Sequence, residues 1–329
     1  MAPIPVSLPA LYAEDLLAVS GANQGEPLCC DKPLVEGDIY QLRKPVQPRR
    51  LILVGETVGP LTLAPQTELG QAGAEVDALC MLRLMAHCGA RADVILLRQV
   101  GATDGRTPAF AVPVTPLVPT AEYRLVEIDR GQPRQVLAQM TVASFLRGTQ
   151  ITMADGQQRP VEALHAGDIV LTRDGGAQPI RWVGRITVRA VGALAPVRIE
   201  AGALNNSRDL SVSPEQRLLI HQRSDILKVG RADLLIKARD LLRGPCVCVD
   251  QGGFVDYHQV LLDQARILFA EGIAAEAMRV NSCTAAMLPA YLQHEHVWEG
   301  KGEPTGLELG SALLDRSDLM TVLQRAVLG

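Results

Sequence analysis

Apolar positions in the first 139 residues fall into short runs instead of long periodic stretches. Residues 51–54 (Leu-Ile-Leu-Val) and 93–97 (Asp-Val-Ile-Leu-Leu) have the length and branching of buried strands. Between them, residues 74–87 carry Val76, Leu79, Cys80, Leu82 and Leu84 with few breakers, a pattern that predicts a helix. Residues 108–119 hold Pro108, Pro113, Pro116 and Pro119. Proline lacks the amide donor of a central ladder, so this stretch reads as an extended connector or edge segment. Residues 123–128 alternate well enough for another strand.

From Met140 the texture changes. Short β-prone runs now alternate with turn signals: residues 150–153 before Ala154-Asp155-Gly156, and residues 168–172 before Arg173-Asp174-Gly175-Gly176. Asp-Gly between two such runs is a strong hairpin signal, because glycine supplies the positive φ a tight turn needs. Residues 179–184, 184–199, 247–249 and 266–271 continue in the same manner, with small helical turns expected at 160–166 and 231–242. Leu309, Leu313, Leu314, Leu319, Leu323 and Val327 then recur at spacings near four, predicting a terminal helix docked on the body. The expected fold is mainly β. A β-rich N-terminal domain with one helix (1–139) precedes an all-β module (140–280), and an extension with a helix (281–329) follows.

Composition supports this picture. Apolar residues make up 47% of the 329 and aromatics only 3%, so the core must be built from Val, Leu, Ile and Ala. The 29 glycines and 21 prolines favour many short strands over a helical bundle. A net charge of −4 with no Lys/Arg block gives no nucleic-acid footprint. No run approaches the roughly 18–20 apolar residues of a membrane span, and the first 21 residues lack the basic and apolar regions of a secretory signal. A cytoplasmic protein is expected, with export lacking a cleaved signal as the alternative. Seven cysteines, an odd number, argue against a complete disulfide framework. Cys246 and Cys248 would share a strand face but lack a second pair at ligand spacing, so reduced thiols are expected and no metal or other cofactor is implied.

The module carries motifs of its own. Residues 144–156 (Ser-Phe-Leu-Arg-Gly-Thr-Gln-Ile-Thr-Met-Ala-Asp-Gly) resemble the opening block of Hint modules, the self-processing β fold of inteins and Hedgehog proteins. Residues 161–172 (Val-Glu-Ala-Leu-His-Ala-Gly-Asp-Ile-Val-Leu-Thr) look like the next block of that family. Residues 173–185, 196–199, 208–214 and 270–272 are similar to a bacterial subgroup of stand-alone Hint proteins. The resemblance runs in order from Phe145 to Glu271 and leaves the first 139 residues outside it.

What the resemblance implies is an acyl shift. A side-chain nucleophile at the module's first residue attacks the carbonyl before it, and a nearby His protonates the departing amide nitrogen. Here the nucleophile position holds Ser144, where the family usually has Cys. The family's Thr-x-x-His block reads Ser213-Pro214-Glu215-Gln216: the hydroxyl, which the family orients onto the same peptide, is kept as Ser213, and the His is replaced by Gln216. A carboxamide exchanges no proton near neutral pH, and a positioned general acid contributes about 10²–10⁴-fold, or about 3–5 kcal/mol of barrier. With Tyr257 and Asp263 as anchors, two further His positions fall on Gln259 and Ala265. His258 is one residue out of register, on the opposite strand face.

The candidate site is therefore Ser144, Ser213, Gln216 and Asp263, the last either a retained site carboxylate or a turn residue. His221 reads as a strand-end side chain, and His294 with His296 as a metal pair lacking a third ligand. The implied protein keeps a self-processing scaffold with its catalytic side chains replaced, as a structural or interaction module with an unidentified protein partner. The alternative is slow cleavage at Ala143–Ser144 through an N-to-O shift.

Overall fold

A computed structural model describes residues 5–55, 59–101, 107–244, 246–293, 307–309, 311–314 and 316–328. The chain divides into two compact units. One comprises Met1–Thr141 with Val280–His294, the other Val142–Arg279 with the remaining C-terminal residues.

The first unit contains β1 (Val6–Tyr12), β2 (Leu16–Ser20), β3 (Ile39–Leu42), β4 (Arg49–Val54), β5 (Leu61–Leu63), β6 (Glu75–Ala86), β7 (Arg91–Gln99), β8 (Ala109–Pro113), β9 (Glu122–Asp129) and α1 (Pro133–Thr141). Pairing runs β6-β5-β4-β1-β8-β7 and returns from β7 to β6, a closed ring of ladders from which β9, β3 and β2 extend. Closure leaves no free edge within the ring. Leu11, Leu82, Leu84, Val94, Leu96 and Leu125 lie in its core.

Two expectations for this unit are corrected. Residues 75–86 form a strand, and the helix of residues 5–141 is α1. Val76, Cys80, Leu82, Leu84 and Ala86 are buried on one face, and at the bulge between Ala78 and Cys80 both Ala78 and Leu79 are half-buried. Leu, Met, Ala and Arg are good helix formers, but two-sided pairing with β7 and β9 overrides that preference. Residues 109–113 are likewise a fully buried strand between β1 and β7. Its prolines are tolerated because Pro108 precedes the strand and Pro113 ends it.

The second unit contains β10 (Phe145–Leu146), β11 (Gln150–Thr152), β12 (Gln158–Pro160), β13 (Ile169–Thr172), β14 (Gly176–Arg189), β15 (Val197–Ile199), β16 (Leu210–Val212), β17 (Arg217–His221), β18 (Asp233–Lys237), β19 (Val247–Val249), β20 (Phe254–Leu262), β21 (Ile267–Ala270) and β22 (Ile273–Glu276). Strand order is β18-β17-β22-β21-β13-β14-β20-β10-β16-β15-β19, with β11 bridging β12 and β21. The β13–β14 hairpin closes at Thr172 opposite Gly176, whose φ of 65° demands glycine. Residues 233–237 form a strand where a helical turn was expected. Its run Leu234-Leu235-Ile236 is buried against β17, and the turn is confined to Ala238–Leu241.

After α2 (Ala290–Gln293) in the first unit, the chain returns to the second with α3 (Ser311–Leu314) and α4 (Leu319–Leu328). Leu319, Met320 and Leu323 of α4 enter the same core as Phe145, Val170 and Val212, so the terminal helix is docked as its periodicity predicts. No helix among the described residues is long and apolar enough to cross a membrane.

Candidate functional site

β10 is the strand that builds the site, because it lies between β16 and β20. Phe145 pairs with Val212 on one side and with His258 on the other. Extending both antiparallel ladders by one residue sets Ser144 between Ser213 and Gln259.

Ser144 is 1% exposed and held on both sides. Its backbone N–H donates to Ser213 Oγ at 3.0 Å, and its carbonyl accepts the Ser213 N–H at 2.9 Å. Ser213 Oγ in turn donates to the Val142 carbonyl at 2.9 Å. The Ser213 hydroxyl thus bridges two successive peptides, from the Val142 carbonyl to the Ser144 N–H, across Ala143. On the other side, Gln259 Nε2 donates to Ser144 Oγ at 2.8 Å. Gln259 is completely buried, and Gly184 faces it across the β14–β20 ladder. A Cβ at Gly184 would stand 2.6 Å from Gln259 Oε1 and 2.2 Å from the Trp182 ring. Glycine is the residue that lets the indole and the carboxamide share this space.

Gln216 is also completely buried. Its N–H closes the Ser213-Pro214-Glu215-Gln216 turn on the Ser213 carbonyl at 3.0 Å. Its Nε2 donates to the carbonyls of Glu276 at 2.8 Å and Arg217 at 3.1 Å. The side chain is spent fastening β17 to the end of β22. Glu215 anchors the same turn by accepting from Lys237 at 2.7 Å and from Arg239.

Residues 143–281 match the family described as the Hint domain. Among solved structures the chain is similar to a variant of the Ssp DnaB mini-intein, with 9% identity over 41% of this chain and 95% of that one, at a TM-score of 0.27. It is also similar to a bacterial intein-like domain from Clostridium thermocellum, with 13% identity over 41% of this chain and 97% of that one, at a TM-score of 0.26. No curated protein matches. The family match covers residues 143–281 and leaves the rest of the chain outside it.

Within the Hint region, Ser144 and Ser213 come together as the motifs imply, and Gln216 follows Ser213 through the turn. Asp263 does not join them. β20 ends at Leu262, and Asp263 sits in the exposed turn beyond it, 3.8 Å from the Arg181 guanidinium. It is a turn residue. His258 pairs across from Phe145 and Arg185 on the face opposite Gln259. Burial pushes its imidazole below the usual value, the nearby Glu162 carboxylate acts against that, and Arg185 adds to it. His221 is exposed at the end of β17, with Nδ1 2.8 Å from Asp233. His294 and His296 lie outside the described residues.

Three contributors escaped the motif reading: Gly184, Trp182 and the Glu276 carbonyl. The first two share a strand face at two-residue spacing in Trp182-Val183-Gly184, a signal visible in sequence only once Gln259 is known to sit opposite.

Chemically, the group has the Ser144 hydroxyl against a carboxamide and a second hydroxyl, that of Ser213, on the Ser144 N–H. Among the described residues, the side chains hydrogen-bonded to Ser144 are those of Ser213 and Gln259. Neither titrates near neutral pH.

Proposed function

We propose that the Hint region is a structural or interaction module that does not cleave itself, so the chain stays whole. The Gln259–Ser144 hydrogen bond carries this reading. A nucleophilic hydroxyl needs a base to take its proton, and Ser144 Oγ instead receives a proton donor. Turning the carboxamide over would offer its oxygen to the hydroxyl, yet an amide oxygen is no base at neutral pH, so the conclusion is the same in either orientation. Departure of the Ser144 nitrogen also needs an acid. Gln216 has no exchangeable proton to offer and is bonded to the Glu276 and Arg217 carbonyls. Missing acid–base assistance at one position is worth about 10²–10⁴ in rate.

One observation favours slow self-cleavage as a second reading. The Ser213 hydroxyl accepts the N–H of Ser144, the nitrogen that would leave in such a reaction. In that reaction Ser144 Oγ attacks the Ala143 carbonyl carbon, the C–N bond breaks with a proton passing to the nitrogen, and water or hydroxylamine cleaves the resulting ester. Denaturing mass analysis after incubation with hydroxylamine separates the two readings. An unchanged chain supports the first, and fragments 1–143 and 144–329 support the second.

A further inference from the structure

The first unit is discontinuous in sequence. It is built from Met1–Thr141 and from Val280–His294, on either side of the Hint region. The returning segment is docked, not draped. Cys283, Ala285, Leu288 and Leu292 are at most 3% exposed, and the turn Thr284–Met287 packs on α1, whose Leu137 is 1% exposed. Asn281 organises the segment by accepting the N–H groups of Cys283 and Thr284 on its side chain, both at 2.9 Å. Ser282 passes so close to Gly55 that a Cβ there would lie 3.3 Å from its own Cβ.

We infer that the Hint region is an insertion within one folding unit, and that residues 280–293 are an internal docking partner for residues 5–141. A chain severed at Ala143–Ser144 would then remain a tight two-piece complex, because the second piece supplies the segment that completes the unit of the first. This holds whichever way the Ala143–Ser144 bond behaves. It also means that separation of fragments under native conditions cannot report cleavage. The small apolar turn Thr284–Met287 and the helix face of α1 form the seam, with a cavity of about 150 Å³ between Leu137, Arg134, Cys283 and Ala286.

The test is co-expression of residues 1–143, carrying an affinity tag, with residues 144–329 as a separate chain. Purification and size exclusion are expected to recover the two pieces one to one. Cys283 should be as slow to alkylate, read by peptide mass, as in the whole protein. Leu288→Asp in the second piece, and Leu137→Asp in the first, should each reduce recovery at least tenfold and make Cys283 reactive. Folding of the second piece is followed independently by Trp182 fluorescence in a Trp298→Phe background, since that piece carries both tryptophans. Separation of the unmutated pieces while Trp182 stays in its folded state would overturn the inference. Full recovery and full Cys283 protection in both Asp variants would overturn it as well.

Discussion

Gln259 Nε2 donates a hydrogen bond to Ser144 Oγ at 2.8 Å, with both side chains buried. The relationship follows from strand register. Phe145 opposite His258 fixes Ser144 opposite Gln259, and a one-residue slip would have presented an imidazole instead. A side-chain donor thus stands against the Ser144 hydroxyl.

Ser213 holds two backbone groups of the segment before β10. Ser213→Ala leaves the buried Ser144 N–H and Val142 carbonyl without that partner, and is expected to destabilise the second unit by about 1–3 kcal/mol. Ser213→Thr, which keeps the hydroxyl, should lose less. Urea unfolding followed by Trp182 fluorescence checks both, and equal losses would contradict the assignment.

Gly184 makes room for Gln259 and Trp182 together. Gly184→Ala should cost about 1–3 kcal/mol through overpacking. Because Gln259 Oε1 and the indole must both give way, the Trp182 emission should shift. An unchanged midpoint and unchanged emission would mean that the close approach imposes no constraint.

His258 makes the second unit acid-sensitive. Burial, the largest influence, lowers its folded-state pKa below the ordinary imidazole value of 6.5 despite the Glu162 carboxylate. Arg185 and Arg147 reinforce the fall, and Asp256 opposes it. As pH drops through 6.5 the unfolded chain takes up a proton that the folded chain does not, so stability falls across that window until the folded pKa is reached. His258→Phe removes this dependence. Urea midpoints at intervals below neutral pH should decline more steeply for the native chain than for the variant, and parallel curves would refute the assignment.

How much of this was legible in sequence differs between the two units. The Hint region advertises itself because Asp155-Gly156 and Asp174-Gly175 mark turns between β-prone runs, and its motifs fix strand register near Ser144. The resemblance implied a Ser213 hydroxyl turned onto the Ala143–Ser144 peptide, and Ser213 Oγ accepts the Ser144 N–H. Asp263 could not be placed, because nothing local says that β20 stops at Leu262. In the first unit, β6 is written in good helix formers, and at its bulge the half-buried Ala78 and Leu79 blur the two-residue alternation. The dependence of that unit on residues 280–293 is a contact between distant parts of the chain, and short-range patterns carry no trace of it.

The central claim is that the Ala143–Ser144 bond endures, and intact mass under denaturing conditions tests it most directly. Purified full-length protein incubated with hydroxylamine is predicted to remain a single 35.4 kDa species. Accumulation of fragments 1–143 and 144–329, abolished by Ser144→Ala, would contradict it.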